Sequence, residues 1–289
     1  TNDIPSPKNG VQLSLFADDT ALYVKGQRLP TTLTKLQTAV SELGEWFTKW
    51  RIDVNPEKST AVCFDYKRRR ADLYPPPVHM QGTKVPWQST AKYLGVTLDP
   101  RLTFMPHIKR VTRTARFYLG RLNGMLGRHS KMSLRNKRTL YKVCIRPVLT
   151  YASPVFAHAT PATLQKLQTV QNLFCRRATA APWFVRNADL HRDMELPSAQ
   201  QFLKQLSETF FKSAENHANP LIREAAAYVP RRNSHHLVRR PRHVLSDPQT
   251  NFRATWTAFW RPRPTNLTPP PMNDDPSWGH RPDFLADAP

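Results

Sequence analysis

The chain begins with an alternation of apolar and polar side chains that is typical of a β-strand. Over residues 11–15 the two kinds of side chain alternate strictly, which is the period of two expected when one face of a strand is buried. A second apolar run covers 21–24, and Asp18 and Asp19 lie between the two runs. The pattern predicts a β-hairpin over 11–25 with both carboxylates at its tip.

Further along the chain, apolar residues recur at spacings of three and four, as in amphipathic helices. The helices predicted in this way cover 31–51, 106–126, a segment that begins at Ser133, and most of 160–228. A short pair of strands is predicted around Gly95, over 93–98. Strands near the beginning and helices after them indicate an α+β fold.

The helix predicted over 106–126 has two contrasting faces. Its apolar stripe, which we assign to the core, consists of Ile108, Val111, Ala115, Tyr118, Leu119, Leu122 and Leu126. The opposite face carries five cations, Lys109, Arg110, Arg113, Arg116 and Arg121. The next predicted helix adds Arg135, Lys137, Arg138 and Lys142.

The charge is distributed unevenly along the chain. The formal net charge is +22, and the span from Pro100 to Ala188 holds 17 Lys and Arg residues without one Asp or Glu. A positive field of this kind attracts polyanions. We therefore predict a nucleic-acid partner, with a solvated basic face, an anionic membrane surface or non-specific binding as the alternatives.

The remaining composition excludes several classes of protein. The three cysteines, Cys63, Cys144 and Cys175, are far apart and odd in number, which argues against a disulfide framework and a zinc site. There is no uninterrupted apolar run of about 18 residues, so we expect no membrane span. The Pro- and Arg-rich stretch 229–289 lacks periodicity and is predicted to be a disordered tail.

The Asp18-Asp19 pair is a candidate metal site. Two adjacent carboxylates repel each other unless a cation holds them, and divalent cations prefer such oxygen ligands. The alternative is a solvated Asp-Asp turn. Phe16, just before the tip, is expected to pack in the core of the hairpin.

Four motifs in chain order resemble the reverse transcriptases of non-LTR retrotransposons, most closely the jockey-like elements of insects. The resembling segments are Phe16–Asp19, Gly44–Phe47 with Trp50–Ser59, Lys92–Asp99, and the two ends of a thumb at His107-Ile108 and Arg146–Ala152. The resemblance covers roughly residues 10 to 210.

The resemblance implies a domain organisation within the α+β fold. It consists of the C-terminal half of a polymerase palm with the primer grip (1–99), a helical thumb (100–155), a helical C-terminal region (156–228) and the tail (229–289). The catalytic hairpin and its helix belong to the palm.

The resemblance also implies RNA-directed DNA polymerisation by two-metal phosphoryl transfer. Asp18 and Asp19 would bind Mg²⁺, and Lys58 would lie near the nucleotide phosphates as a general acid, with a solvated loop lysine as the alternative. Tyr93, Leu94 and Gly95 match the primer grip, although Tyr93 could equally be a core residue. The partners would be an RNA template, a DNA primer at a nicked target and dNTPs, in the nucleus after a cytoplasmic ribonucleoprotein stage.

In this family a third metal-binding aspartate and the fingers lie upstream of the catalytic hairpin. Thr1 is not a start methionine, and only about nine residues precede the first predicted strand. We therefore expect a C-terminal fragment that is inactive in isolation. The alternative is a non-catalytic, nucleic-acid-binding remnant of a truncated element.

Overall fold

The structure is a computed structural model of the 289-residue chain, and it describes residues 3–55, 57–65, 75–227 and 240–246. In these residues, small antiparallel β-pairs occupy the first hundred positions and helices dominate the rest. The α+β prediction is confirmed at this level. The assignment of parts of the chain to palm and thumb stays a prediction.

The first hairpin forms where the alternating pattern predicts it. Strand β1 (Val11–Phe16) pairs antiparallel with β2 (Asp19–Val24), with Phe16 opposite Asp19. Helix α1 (Leu29–Lys49) follows and packs against this hairpin and against the strand at 78–80, and its buried residues include Val40 and Leu43. The predicted helix, 31–51, is therefore shifted by two residues.

Two further β-pairs follow α1. Strand β3 (Val78–Met80) pairs with β4 (Thr83–Val85), and β5 (Ala91–Tyr93) pairs with β6 (Val96–Leu98). The second of these pairs is the one predicted around Gly95. The first pair, around Gly82, was not predicted.

The helical part begins at residue 105. Its helices are α2 (Met105–Arg121), α3 (Asn123–Leu126), α4 (Leu134–Leu140), α5 (Arg146–Thr150), α6 (Ser153–Phe156), α7 (Pro161–Thr179), α8 (Asn187–Asp193), α9 (Ala199–Glu215) and α10 (Pro220–Ala226). A π-helical segment, Tyr141–Ile145, joins α4 to α5. Ser133 caps α4 as predicted, because its side chain accepts a hydrogen bond from the backbone N–H of Asn136.

The main core lies among these helices. It includes five of the seven residues predicted for the apolar stripe. Four of them, Ile108, Val111, Ala115 and Leu119, belong to α2, and the fifth, Leu126, ends α3. Helix α7 packs against them with the predicted face of Leu164, Leu167, Val170 and Phe174. Tyr118 was assigned wrongly to the core, since it is 43% exposed at the edge of the stripe.

The segment predicted to be a disordered tail is described only in part. Residues Pro241–Ser246 form a 3₁₀-helix that packs against α9, and Val244 is buried, so these residues differ from the prediction. The rest of 229–289 lies outside the described residues.

Candidate functional site

The two predicted metal ligands lie together at the tip of the first hairpin. Ala17 and Asp18 form the two-residue turn, and Asp19 is the first residue of β2. Ala17 takes a left-handed backbone conformation, with φ of 52°, which a tight reversal demands. Both carboxylates are exposed and accessible to a ligand.

Phe16, beside this turn, does not pack in the hairpin core as expected. It is 63% exposed, because the hairpin has only two strands among the described residues and nothing there covers this side chain.

The donor chemistry at the tip suits a hard divalent cation but is incomplete within the described residues. Carboxylate oxygens are the ligands that Mg²⁺ prefers, usually with several further oxygens around the ion. Among the residues that the structure describes, no group of three or more His, Cys, Asp and Glu side chains could hold a metal. The binding of a metal at the tip stays a prediction.

Lys58 lies in a turn whose backbone is fixed by Asn55. The Asn55 Oδ1 accepts hydrogen bonds from the backbone N–H groups of Glu57 and Lys58, at 3.0 and 3.2 Å. The Lys58 side chain is exposed, and no ion pair joins it to Asp18 or Asp19. The structure thus does not bring Lys58 into contact with the carboxylates.

The predicted primer-grip residues form the tight turn between β5 and β6. Tyr93 pairs with Val96, so Leu94 and Gly95 make the two-residue turn, with φ of 44° and 79°. Positive φ at both positions is the geometry of a type I′ hairpin turn. The Tyr93 hydroxyl lies 3.3 Å from the Ser14 hydroxyl of β1, which links this turn to the first hairpin.

Two residues of the helical part of the chain also form hydrogen bonds with this turn. The Tyr151 hydroxyl donates a hydrogen bond to the carbonyl of Leu94 at 3.2 Å, and the Arg110 guanidinium donates to the carbonyl of Gly95 at 2.5 Å. A Cβ added to Gly95 would lie only 2.8 Å from Cε1 of Tyr151. The hydrogen bond between Tyr151 and Leu94 joins residues 57 positions apart in the sequence, and no local sequence pattern predicts it.

Asp99 fixes the start of α2. One carboxylate oxygen accepts from the backbone N–H of Phe104 at 2.7 Å, and the other accepts from the backbone N–H and the hydroxyl of Thr103, at 3.0 and 2.9 Å. Asp99 thus fixes the loop that leads into α2, whose N-cap position is Phe104 and whose first turn carries Pro106.

His107 joins α2 to β6. Its Nδ1 accepts a hydrogen bond from the backbone N–H of Thr97 at 3.3 Å. The pKa of His107 is lowered from 6.5 to about 4, mainly by burial and to a smaller extent by the neighbouring Arg110 guanidinium. The ring is therefore neutral at pH 7 and acts as an acceptor in the joint between β6 and α2.

Four of the five predicted cations of α2 are exposed, and their side chains make no hydrogen bond or ion pair with the other residues that the structure describes. We call Lys109, Arg113, Arg116 and Arg121 the α2 basic row. Arg110 is exposed too, but its guanidinium is bound to Gly95, Thr97 and His107, so it fixes the primer-grip turn. Its assignment to nucleic-acid contact stays a prediction.

The four cations predicted for the next helix have different environments. Arg135 is exposed and Lys142 half-buried, whereas Arg138 forms an ion pair with Glu195. Lys137 is buried, and its ammonium donates to the carbonyls of Gly127 and Ala178 at 3.3 and 3.2 Å. Placing Lys137 on a nucleic-acid face was wrong, because its ammonium is buried between the carbonyl of Gly127, after α3, and the carbonyl of Ala178, at the C-terminal end of α7.

The hairpin tip and the primer-grip turn both lie in the part of the chain that matches a known family. Residues 1–98 match the family model for reverse transcriptase, described as RNA-dependent DNA polymerase. This part of the chain is therefore similar to a reverse transcriptase domain. The recognition drawn from the motifs is confirmed.

Curated relatives extend the similarity beyond the reverse transcriptase domain. The chain is 32% identical, over 88% of its length, to a protein of Drosophila melanogaster named probable RNA-directed DNA polymerase from transposon X-element. It is 32% identical over 80% of its length to the corresponding protein of transposon BS, and 29% identical over 74% to that of mobile element jockey, both from the same fly. No solved structure matches the chain significantly.

The chain spans about a quarter of the length of these relatives, between 23% and 28%. Among its described residues, no helix is long and apolar enough to cross a membrane.

Proposed function

We propose that residues 1–289 act as part of an RNA-directed DNA polymerase of a non-LTR retrotransposon, which copies the element's RNA into DNA. The observation that carries the proposal is the hairpin tip. Asp18 and Asp19 are exposed side by side at a tight turn, within residues that match the reverse transcriptase family.

The tip would hold the cations of the reaction. Asp18 and Asp19 would each contribute carboxylate oxygens, and the remaining protein ligand would come from outside residues 1–289. Two bound Mg²⁺ ions would activate the attacking oxygen of the primer and stabilise the leaving oxygen of the nucleotide. The reacting groups need this full set of ligands for in-line geometry, so residues 1–289 alone should not polymerise.

The other residues would position the nucleic acid and the dNTP. The Leu94–Gly95 turn is hydrogen-bonded to Arg110 of α2 and to Tyr151 after α5, and the adjacent Tyr93 is hydrogen-bonded to β1, which would support the primer end. Lys58 would donate a proton to the departing pyrophosphate once the bound nucleotide brings the two together. The α2 basic row, with Arg135 and Lys142, would contact phosphates of the template–primer duplex.

The setting of the reaction follows from the same proposal. The template would be the element's RNA, the primer a nicked chromosomal target, and the site of action the nucleus.

A second candidate function is nucleic-acid binding without catalysis. It is favoured by the incomplete ligand set at the tip, together with an α2 basic row that needs no metal to bind phosphates. A chain of this kind would keep its affinity for nucleic acid whatever happens to Asp18 and Asp19.

Primer extension separates the two candidates. In a longer protein that completes the polymerase, we expect Asp18→Asn and Asp19→Asn each to reduce extension on an RNA template by at least a thousandfold, with RNA affinity nearly unchanged. Glu224→Gln, which removes an exposed charge from α10, is the matched control and should leave extension intact. Near wild-type extension by both aspartate variants, or extension by the isolated chain that Asp18→Asn abolishes, would contradict this account.

A further inference from the structure

The most exposed aromatic side chains in the described part of the chain lie in the turn after α7. Trp183 is 87% exposed and Phe184 is 68% exposed. Large aromatic surfaces are normally buried, and those that stay in water often mark binding sites. Neither residue has a role in the proposed polymerase site.

The turn that carries them is fixed in shape. The guanidinium of Arg176 donates hydrogen bonds to the carbonyls of Pro182 and Val185 and to Asn187 Oδ1. The backbone N–H of Val185 also donates to the carbonyl of Pro182 at 3.2 Å. A partner would therefore meet a preorganised turn, which reduces the entropy cost of binding.

The two rings do not cover each other. Their planes are 82° apart with centroids separated by 6.0 Å, so they meet edge to face. High exposure in this arrangement leaves ring faces on which a planar group can stack.

The charges around the turn are positive. Arg186 is exposed in the turn itself, and the Lys137 ammonium binds both Gly127 and Ala178. Because Lys137 binds both carbonyls, the loop after Gly127 lies at the C-terminal end of α7, where the aromatic turn begins. This loop carries the exposed cations Arg128 and Lys131. The nearest downstream acids, Asp189 and Asp193, are ion-paired with Arg192.

We propose that Trp183 and Phe184 form a stacking platform for unpaired bases of a single-stranded nucleic acid, whose backbone contacts Arg128, Lys131 and Arg186. Aromatic faces among cations suit a strand that is both anionic and rich in exposed planar bases. A duplex fits less well, because its bases already stack on each other. The platform is distinct from the α2 basic row, and its binding needs no polymerase activity.

The test measures binding by the 1–289 chain, with fluorescence anisotropy of labelled 12-nucleotide oligouridine, oligothymidine and a duplex of the same length. We expect the double variant Trp183→Ala/Phe184→Ala to bind at least one single strand about tenfold or more weakly, and the duplex within about twofold of wild type. The two single strands distinguish RNA from DNA as the ligand. The salt dependence should not change, since no cation is removed.

Two control variants make the result specific. Trp183→Tyr/Phe184→Tyr keeps the ring faces and should restore most of the affinity, whereas Leu221→Ala removes a similarly exposed apolar side chain from α10 and should have no effect. The exposed positions predict an unchanged melting temperature in every variant.

Other results would overturn the proposal. Single-strand affinity within twofold of wild type in the double alanine variant would do so, as would an equal loss for the duplex. Loss of binding to phosphatidylserine vesicles with intact single-strand binding would assign the turn to a membrane surface instead. None of these results depends on primer extension, so failure here is separate from failure of the polymerase proposal.

Discussion

Gly95 lies in a turn where both its backbone angle and a neighbouring ring exclude a side chain. Its φ of 79° is one that other residues rarely adopt, and an added Cβ would lie 2.8 Å from the Tyr151 ring. Gly82 occupies the same position in the β3–β4 turn, with φ of 77°, but nothing lies within 4 Å of its missing Cβ. Comparing alanine substitutions at Gly82 and Gly95 therefore separates the cost of backbone strain from the cost of a steric clash.

We predict that Gly82→Ala lowers the free energy of unfolding by about 1–2 kcal/mol, the cost of a left-handed Ala. Gly95→Ala should lose a further 1–3 kcal/mol or so, because the Tyr151 ring must move. Urea denaturation measures both values. Tyr151→Ala in the Gly95→Ala background should recover part of the difference. Equal losses for the two glycine variants would show that Tyr151 does not press on the turn.

His107 gives the molecule a stability that depends on pH. Its folded pKa of about 4 lies below the unfolded value of 6.5, so its contribution is complete above pH 6.5 and is lost as the pH falls toward 4. In this window the free energy of unfolding should fall by about 1.4 kcal/mol per pH unit from this group. Burial also lowers the pKa of His191, which adds a slope of the same sign below pH 6.5.

We predict that His107→Asn weakens this dependence. Asparagine keeps an oxygen that can accept from the Thr97 N–H but does not titrate, so the variant should lose less stability than wild type between pH 6.5 and 5. Urea denaturation across this range is the measurement. His79→Asn, which changes an exposed histidine, is the control and should leave the slope unaltered. Identical slopes in His107→Asn and wild type would refute the assignment.

At the scale of the elements, the strong periodic signals predicted structure well. The face of α7 and most of the α2 stripe are buried as their spacing requires, and the Ser133 cap starts α4. The spacing could not tell which cations are exposed. Lys137 lies on a helix as predicted, but the carbonyls of Gly127 and Ala178 that bury it come from elsewhere in the chain.

The α2 basic row allows a test of the predicted nucleic-acid face. Replacing Lys109, Arg113 and Arg116 by Gln should flatten the plot of log affinity against log salt by about two to three units, since each lost phosphate contact removes 0.7–0.9. Stability should change little, because the three side chains are exposed. The matched control replaces Lys35, Lys166 and Lys212, exposed cations on α1, α7 and α9, and should alter the slope less. Equal slopes for both triple variants would mean that net charge alone attracts the nucleic acid.

At the scale of the whole molecule, the site is built from segments that are distant in sequence. The hairpin at 11–24 is joined to the 93–95 turn by Ser14 and Tyr93, and that turn is joined to the helices by Arg110 and Tyr151. The sequence motifs identified the segments and their order. They could not predict these joints, because each depends on side chains that the fold brings together over tens of residues.

The most direct test of the central claim is to locate the bound cation. In a longer protein that completes the polymerase, Fe²⁺ can replace Mg²⁺ with primer, RNA template and nucleotide bound, and ascorbate with peroxide then cleaves the backbone near the metal. We predict cleavage within a few residues of Asp18 and Asp19, which Asp18→Asn removes and Glu224→Gln does not. Cleavage confined to other parts of the protein, or a pattern unchanged by Asp18→Asn, would contradict the assignment of the hairpin tip as the metal site.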